Sequence, residues 1–239
     1  MKRQTFLPTL LLSIGLAGVL PAGAAEPGTI RIAAADQRTD QPGSVPRATA
    51  VRELQAFVET ELAHAASGLP QGFPLAIRDL QDLRGATVGT GYQVFDANSR
   101  ELLAGSSLSD SAHASGRWRF VVQIDGRPAG LLTVALHEGT WQLVSIGGIE
   151  AARELEAVNA YHAATNGTPL RLIRVPQATA DFLEVNSGGA LRFAPLRAAR
   201  ETLARIQVQT GAALSAQSLL NDADFVPALR TAVTRNLAQ

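Results

Sequence analysis

The stretch of sequence that decides the fold is residues 116–148, GRWRFVVQIDGRPAGLLTVALHEGTWQLVSIGG. Polar and apolar side chains alternate in its first apolar run, 118–124, which predicts a β-strand with one buried face. The pairs Asp125-Gly126 and Glu138-Gly139 separate this run from two more, and such pairs are typical of tight hairpin turns because glycine accepts a positive φ. The stretch therefore predicts an antiparallel three-stranded meander, which needs other elements to cover its apolar face.

The faces of the second and third strands follow from the same alternation. Leu132, Val134 and Leu136 share one face of the second strand. In the third strand, period two predicts that Trp141 and Leu143 lie on one face, and Val144 and Ile146 on the other.

Two helices are predicted to cover this sheet. One begins near Arg47 and carries apolar residues at helical spacing until Gly68-Leu69-Pro70 ends it. The other spans 149–165, directly after the meander, with Ala152, Leu155 and Val158 on its apolar stripe.

The rest of the chain contains shorter elements. Strands are predicted at 92–95, 101–104, 170–175, 180–185 and 191–196, and helical segments at 196–208 and 225–237. Residues 85–91, with three glycines, predict a turn, and the serine-rich residues 105–116 predict a solvated loop. The predicted fold class is α+β, an antiparallel β-meander packed against helices, with a helical C-terminal segment.

The domain organisation follows from the N-terminal pattern and from these elements. Lys2 and Arg3, the apolar residues 6–20 and the small residues Ala22-Gly23-Ala24 predict a signal peptide over 1–24. We expect a flexible leader over 25–46, an α+β domain over 47–195, and a helical segment over 196–239 that packs on the same domain. The expected location is periplasmic or secreted, with no membrane attachment after cleavage.

Composition limits the classes of function. The chain has no cysteine among its 239 residues, which excludes disulfides, thiol nucleophiles and cysteine metal ligands. Without Lys2 and Arg3 the cationic residues fall from 21 to 19 against 21 acidic ones, so the net charge is near minus two. This balance, without a basic run, argues against a nucleic-acid partner.

The order of elements resembles that of a known group of proteins. Tyr92-Gln93-Val94-Phe95 before a loop, then 118–134 and 141–147, then a helix, resembles small exported bacterial modules of cystatin-like or PepSY-like build, over about 47–195. The resemblance implies non-enzymatic binding or inhibition, as in protease propeptides. It rests on pattern, and no active residue is carried over from it.

No catalytic or metal-binding motif is present. The four histidines form no close ligand pair, no G-x-S-x-G elbow occurs, and no cofactor is expected. A hydrolase site assembled from distant segments stays open as an alternative, with His137 or His162 beside Asp181 or Glu184. The principal hypothesis is a protein- or peptide-binding module outside the cytoplasm.

Five residues form a predicted binding surface. An arginine-rich sheet face is suited to carboxylates or to an acidic protein segment, and large aromatic side chains add contact area. The residues are Trp118, Arg119, Trp141, Arg171 and Arg174. The competing interpretation places the tryptophans in the core and the arginines on solvated strand faces.

Overall fold

The alternating stretch forms three adjacent strands of a seven-stranded sheet. The computed structural model describes residues 43–64, 68–162, 170–206, 214–215 and 217–238. The predicted signal peptide, and the predicted leader up to residue 42, lie outside these residues. The strands are β1 Ala86–Ala97, β2 Ala112–Ile124, β3 Arg127–His137, β4 Thr140–Gly147, β5 Leu170–Val175, β6 Ala180–Ser187 and β7 Ala190–Pro195.

Helices precede, interrupt and follow the strands. They are α1 Ser44–Ala63, α2 Ser99–Ala104, α3 Ile149–His162, α4 Arg197–Arg205 and α5 Asp222–Leu237. The predicted α+β class and the helical C-terminal segment are therefore confirmed. Within the described residues, no helix combines the length and the apolar character needed to cross a bilayer.

The strands lie in the order β4-β3-β2-β1-β5-β6-β7. All neighbours pair antiparallel except β1 and β5, which are parallel and join the meander to the second half of the sheet. The chain between these two strands contains α2, β2–β4 and α3, so it has the length that a parallel connection requires.

The two predicted covering helices lie on opposite faces of the sheet. On one face, Leu54 and Val58 of α1 pack against Phe120 of β2. On the other, Leu155 of α3 packs in a cluster with Val121, the neighbour of Phe120 in β2. The strand alternation thus divides the apolar residues between two cores.

The C-terminal helices complete the α1 side of the sheet. Phe225 of α5 stacks on Phe182 of β6 with ring centroids 4.8 Å apart, and it meets Phe193 of β7 edge-on. Leu203 of α4 belongs to the same buried cluster. These contacts place the C-terminal segment on the sheet formed by the rest of the chain.

Three local predictions are wrong. Residues 101–104 belong to helix α2, because the Asn98 side chain accepts hydrogen bonds from the N–H groups of Arg100 and Glu101 and caps a helix there. The glycine-rich residues 86–91 lie within β1 and are not a turn. Strand β2 begins at Ala112, inside the serine-rich segment predicted to be a loop.

A bulge corrects the predicted faces of β4. Thr133 pairs with Ser145 and Val134 with Leu143, which leaves Val144 as an extra residue. Ile146 consequently moves to the face that carries Trp141 and Leu143, and it packs against the α1 core. Helix α1 also begins at Ser44, three residues before the predicted start.

Candidate functional site

Charged side chains gather on the sheet face that α3 covers. Strand alternation brings Arg117 and Arg119 of β2 to this face, beside Asp96 of β1. Arg174 of β5 lies opposite Asp96 in the parallel register. Arg117 forms an ion pair with Asp96, so one of these arginines is neutralised within the sheet.

Arg174 is neutralised in the same way, by an aspartate of the neighbouring strand β6. Its Nε atom lies 3.3 Å from Oδ1 of Asp181, which faces it across the antiparallel β5–β6 pair. Both side chains are about three-quarters covered, since their exposed fractions are 30% and 26%. Partial desolvation strengthens such a pair relative to an exposed one.

A cleft of about 540 Å³ opens between this charged sheet face and the helices. The first half of α3 forms one wall, and the start of α4 forms another. Arg119 and Asp181 are the sheet residues that line it, and its apolar lining comes from Ala151, Leu155, Leu196 and Ala198. We call this cavity the arginine cleft. Its volume is in the range of small-ligand pockets.

The helical walls carry ion pairs that neutralise their own charges. Each arginine at the rim has a carboxylate within 2.8 Å, in the pairs Arg153–Glu150, Arg197–Glu201 and Arg200–Glu154. The first two pairs are exposed, whereas Arg200 and Glu154 are largely covered.

Glu154 has a second role at the start of α4. Its Oε1 atom accepts a hydrogen bond of 2.7 Å from the backbone N–H of Arg197, the first residue of that helix. A carboxylate at a helix N-terminus satisfies an orphan donor and interacts favourably with the helix dipole. Glu154 therefore fixes the two walls of the cleft relative to each other.

Arg119 is the exception in this charged group. Its guanidinium forms no hydrogen bond or ion pair with any residue that the structure describes, although it is only partly exposed. Burial lowers the pKa of Arg119 from its ordinary value, and the charges of Arg174 and Arg117 lower it further against the opposing effects of Asp181 and Asp96. An arginine remains protonated at neutral pH even so, and the cleft therefore holds a positive charge that no ion pair among the described residues neutralises.

The five predicted surface residues do not share one surface. Trp118 and Trp141 lie on the α1 side of the sheet, where Trp118 is 6% exposed and packs in the core, and Trp141 is half-buried. Arg171 lies on the same side. Of the five, Arg119 and Arg174 lie near each other on the face that α3 covers, and Arg119 lines the arginine cleft.

Arg171 is occupied by contacts within the fold. Its guanidinium donates hydrogen bonds of 2.9 Å to the carboxylate of Glu184 and to Oγ of Ser109. It also lies over the ring of Phe95, 4.2 Å from the centroid. These contacts hold the 105–111 segment against the sheet, where Leu108 and Ser111 are fully buried. The prediction of a solvated loop there is wrong for these two residues.

Among the described residues, the histidines of the alternative hydrolase site form no hydrogen bond or ion pair with their proposed partners. His137 is exposed at the end of β3, and its nearest charged partner is Glu138, 4.0 Å away. His162 meets the ring of Tyr161 edge-on at the end of α3. Asp181 bonds to Arg174 instead, and Glu184 bonds to Arg171 and Ser109. Among the described residues, no three metal-ligating side chains are grouped as a metal site would require.

Sequence reasoning missed the helical part of the cleft. Arg197 and Glu201, four residues apart, and Glu150 and Arg153, three apart, have the spacing of helical ion pairs. This spacing predicts each ion pair within its own helix, but it does not predict that the two helices lie next to each other. No signal in the sequence identified Glu154 as the residue that joins them.

Comparison with known proteins gives no relative to which the arginine cleft can be aligned. No protein-family model matches the chain, and neither a curated protein nor a solved structure matches it.

Proposed function

We propose that this protein is an exported, non-enzymatic binding module, and that its arginine cleft binds an acidic group of a protein or peptide outside the cytoplasm. The observation that carries the proposal is Arg119, a partly buried cation in a cleft of ligand size that forms no ion pair or hydrogen bond with any described residue. The exported location rests on the N-terminal sequence pattern of residues 1–24.

The energetic argument concerns the cost of covering a charge. A cation removed from water loses hydration, and the loss is compensated only when an anion or other acceptors approach it. The neighbouring arginines already have such partners in Asp96 and Asp181. A ligand carboxylate would supply the partner that Arg119 lacks, in the charge-assisted, bidentate geometry that a guanidinium favours.

The walls around Arg119 are held in place by contacts within the fold. Glu154 joins α3 to α4, so the cleft walls are fixed before a ligand arrives. A preformed site loses less conformational entropy on binding than a mobile one. The arrangement offers recognition, and the described residues provide no histidine–carboxylate pair beside Arg119 for acid–base chemistry.

The test compares acidic and neutral peptides on the purified protein. Fluorescence anisotropy is measured with two labelled random peptide pools, one containing Asp and Glu and the other Asn and Gln in their place. We expect the acidic pool to bind, and Arg119→Gln to weaken that binding by about tenfold or more, the range for a hydrogen bond to a charged group.

Arg52→Gln is the matched control for the charge change. Arg52 lies on α1, on the other side of the sheet, and its side chain is 66% exposed. This variant should bind the acidic pool as the wild type does. Equal binding of the acidic and neutral pools, or full binding by Arg119→Gln, would show that the cleft is not the recognition site.

A further inference from the structure

We infer that the arginine cleft takes a single carboxylate that carries an apolar group beside it, in preference to a phosphate or to a carboxylate in polar surroundings. This inference rests on the proposed function and names the ligand class for the same site. Three observations carry it: the charge balance of the cleft, the planar guanidinium at its base and the apolar residues in its walls.

The charge balance leaves room for one negative charge. Six arginines lie in or beside the cleft, and five of them pair with Asp96, Asp181, Glu150, Glu154 and Glu201. Arg119 is the remaining one. A monoanion would therefore neutralise the site, whereas a phosphate dianion would add a charge that faces the carboxylate of Asp181 without a cation to balance it.

The shape of the cation favours a carboxylate among monoanions. A guanidinium presents parallel N–H donors in a plane, which match the two oxygens of a carboxylate. Neither nearby carboxylate of the sheet bonds to Arg119: Asp181 bonds to Arg174, and Asp96 bonds to Arg117 through Oδ2, while its Oδ1 is buried without a partner among the described residues. Arg119 is thus left to contact the ligand.

The walls of the cleft favour an apolar neighbour. Leu155 and Leu196 line it from α3 and from the start of α4, and Ala151 and Ala198 leave open space because their side chains are small. An aliphatic group placed there would leave water at a gain proportional to its apolar area. A carboxylate bearing such a group occurs at the C-terminus of a peptide with an apolar last residue, and also in small aliphatic acids.

The experiment distinguishes these sources by isothermal titration calorimetry on the purified protein. The probes are N-acetyl-Ala-Ala-Leu as the free acid, the same peptide as its amide, N-acetyl-Ala-Glu-Ala-amide, N-acetyl-Ala-phosphoserine-Ala-amide and 4-methylpentanoate. We expect the free acid to bind at least about tenfold more tightly than its amide and than the phosphopeptide.

Variants locate the binding in the cleft. Arg119→Gln should abolish the preference for the free acid, and Arg119→Lys should weaken it severalfold because lysine keeps the charge without the planar donors. Ala198→Glu should also abolish binding by adding a negative charge to the cleft wall. Circular dichroism and urea unfolding of each variant establish that it is folded, and Arg52→Gln should behave as the wild type.

The outcomes separate the inference from the proposed function. Tight binding of N-acetyl-Ala-Glu-Ala-amide with weak binding of the Leu acid would overturn the inference and keep the proposed function. Binding of 4-methylpentanoate as tight as that of the peptide acid would keep the inference and contradict a peptide-binding role. Preferred binding of the phosphopeptide, or unchanged binding by Arg119→Gln, would overturn the inference.

Discussion

The hydroxyl of Tyr92 donates a hydrogen bond to the backbone carbonyl of Leu155, with an O···O distance of 3.2 Å. Tyr92 lies on the central strand β1 and is fully buried, and Leu155 lies on α3 in the same apolar cluster. Burial raises the pKa of the Tyr92 phenol, so the hydroxyl keeps its proton and remains a donor at every physiological pH. This contact fixes α3, one wall of the arginine cleft, to the centre of the sheet.

Tyr92→Phe should lower the free energy of unfolding by about 1 kcal/mol, the net value of a buried neutral hydrogen bond. The aromatic ring remains, so the loss reports the hydroxyl alone. Urea unfolding followed by circular dichroism measures it. Tyr161→Phe is the matched control, because Tyr161 is 65% exposed and should give no change. Equal stability of both variants would mean that the Tyr92 hydrogen bond contributes nothing.

A second prediction concerns the close approach of β1 and β2. A Cβ atom added to Gly91 would lie 2.5 Å from Cε1 of Phe120, whose ring is buried against the α1 core. Gly91→Ala should therefore destabilise the protein by about 1–3 kcal/mol, the range for overpacking a core. Thermal unfolding of the variant measures the loss.

Two further variants test that explanation. Phe120→Leu in the Gly91→Ala background should recover part of the lost stability, because the two sites interact directly. Gly85→Ala is the control, since its added Cβ comes close only to Oδ1 of the movable Asp125 carboxylate, at 3.0 Å, and lies at an ordinary contact distance of 3.8 Å from the Asp125 backbone. If Gly91→Ala were as stable as Gly85→Ala, the packing explanation would be wrong.

The meander could be predicted because alternation and turn residues are local signals. Both hairpins of residues 116–147 form at the predicted Asp-Gly and Glu-Gly pairs, with Asp125 and Glu138 at positive φ. The face of Ile146 was not predictable, since the bulge at Val144 depends on pairing with β3 and not on the β4 sequence. The parallel β1–β5 pair is likewise a long-range contact, between residues about eighty positions apart.

The cleft could be predicted only in part for the same reason. An arginine-rich sheet face was expected, and Arg119 and Arg174 do lie together on one face. Arg171 and Trp118 lie on the other, because residues from different strands share a face only when the register between the strands is known. The lack of an ion pair at Arg119 among the described residues becomes visible only once the partners of its five neighbouring arginines are known.

A third prediction follows from the half-buried carboxylate of Asp222. Its Oδ2 atom accepts a hydrogen bond from the Leu108 N–H, whereas its Oδ1 atom is buried without a partner among the described residues. Burial raises the pKa of Asp222 above its ordinary value of 3.8, and the charges of Asp110 and Glu184 raise it further. The folded protein therefore holds this proton more tightly than the unfolded chain does.

The sign of the pH dependence follows by linkage. As the pH rises from the ordinary value through the raised pKa, the folded state binds more protons than the unfolded state, so stability falls. Asp222→Asn cannot titrate, and its stability relative to the wild type should increase over that interval. The gain should stay below about 1 kcal/mol because solvent screens this partly exposed group.

Urea unfolding at several pH values between about 3.5 and 7 measures this difference. Asp125→Asn is the control, because Asp125 is an exposed turn residue at positive φ, a conformation that asparagine also accepts. Parallel stability curves for wild type and Asp222→Asn would contradict the prediction.

The last prediction concerns Glu154, which joins the two helical walls of the cleft. Glu154→Ala should lower the free energy of unfolding by about 2 kcal/mol, because it removes the acceptor of the Arg197 N–H and leaves the covered Arg200 guanidinium without its carboxylate. Glu154→Gln keeps an acceptor for the N–H but loses the charge, so it should fall between the wild type and the alanine variant. Glu150→Ala breaks only the exposed pair with Arg153 and should cost less than about 0.5 kcal/mol. Urea unfolding of the three variants measures these losses in the free energy of unfolding. If Glu150→Ala lost as much stability as Glu154→Ala, the greater burial of the Glu154 pair would not explain its contribution to stability.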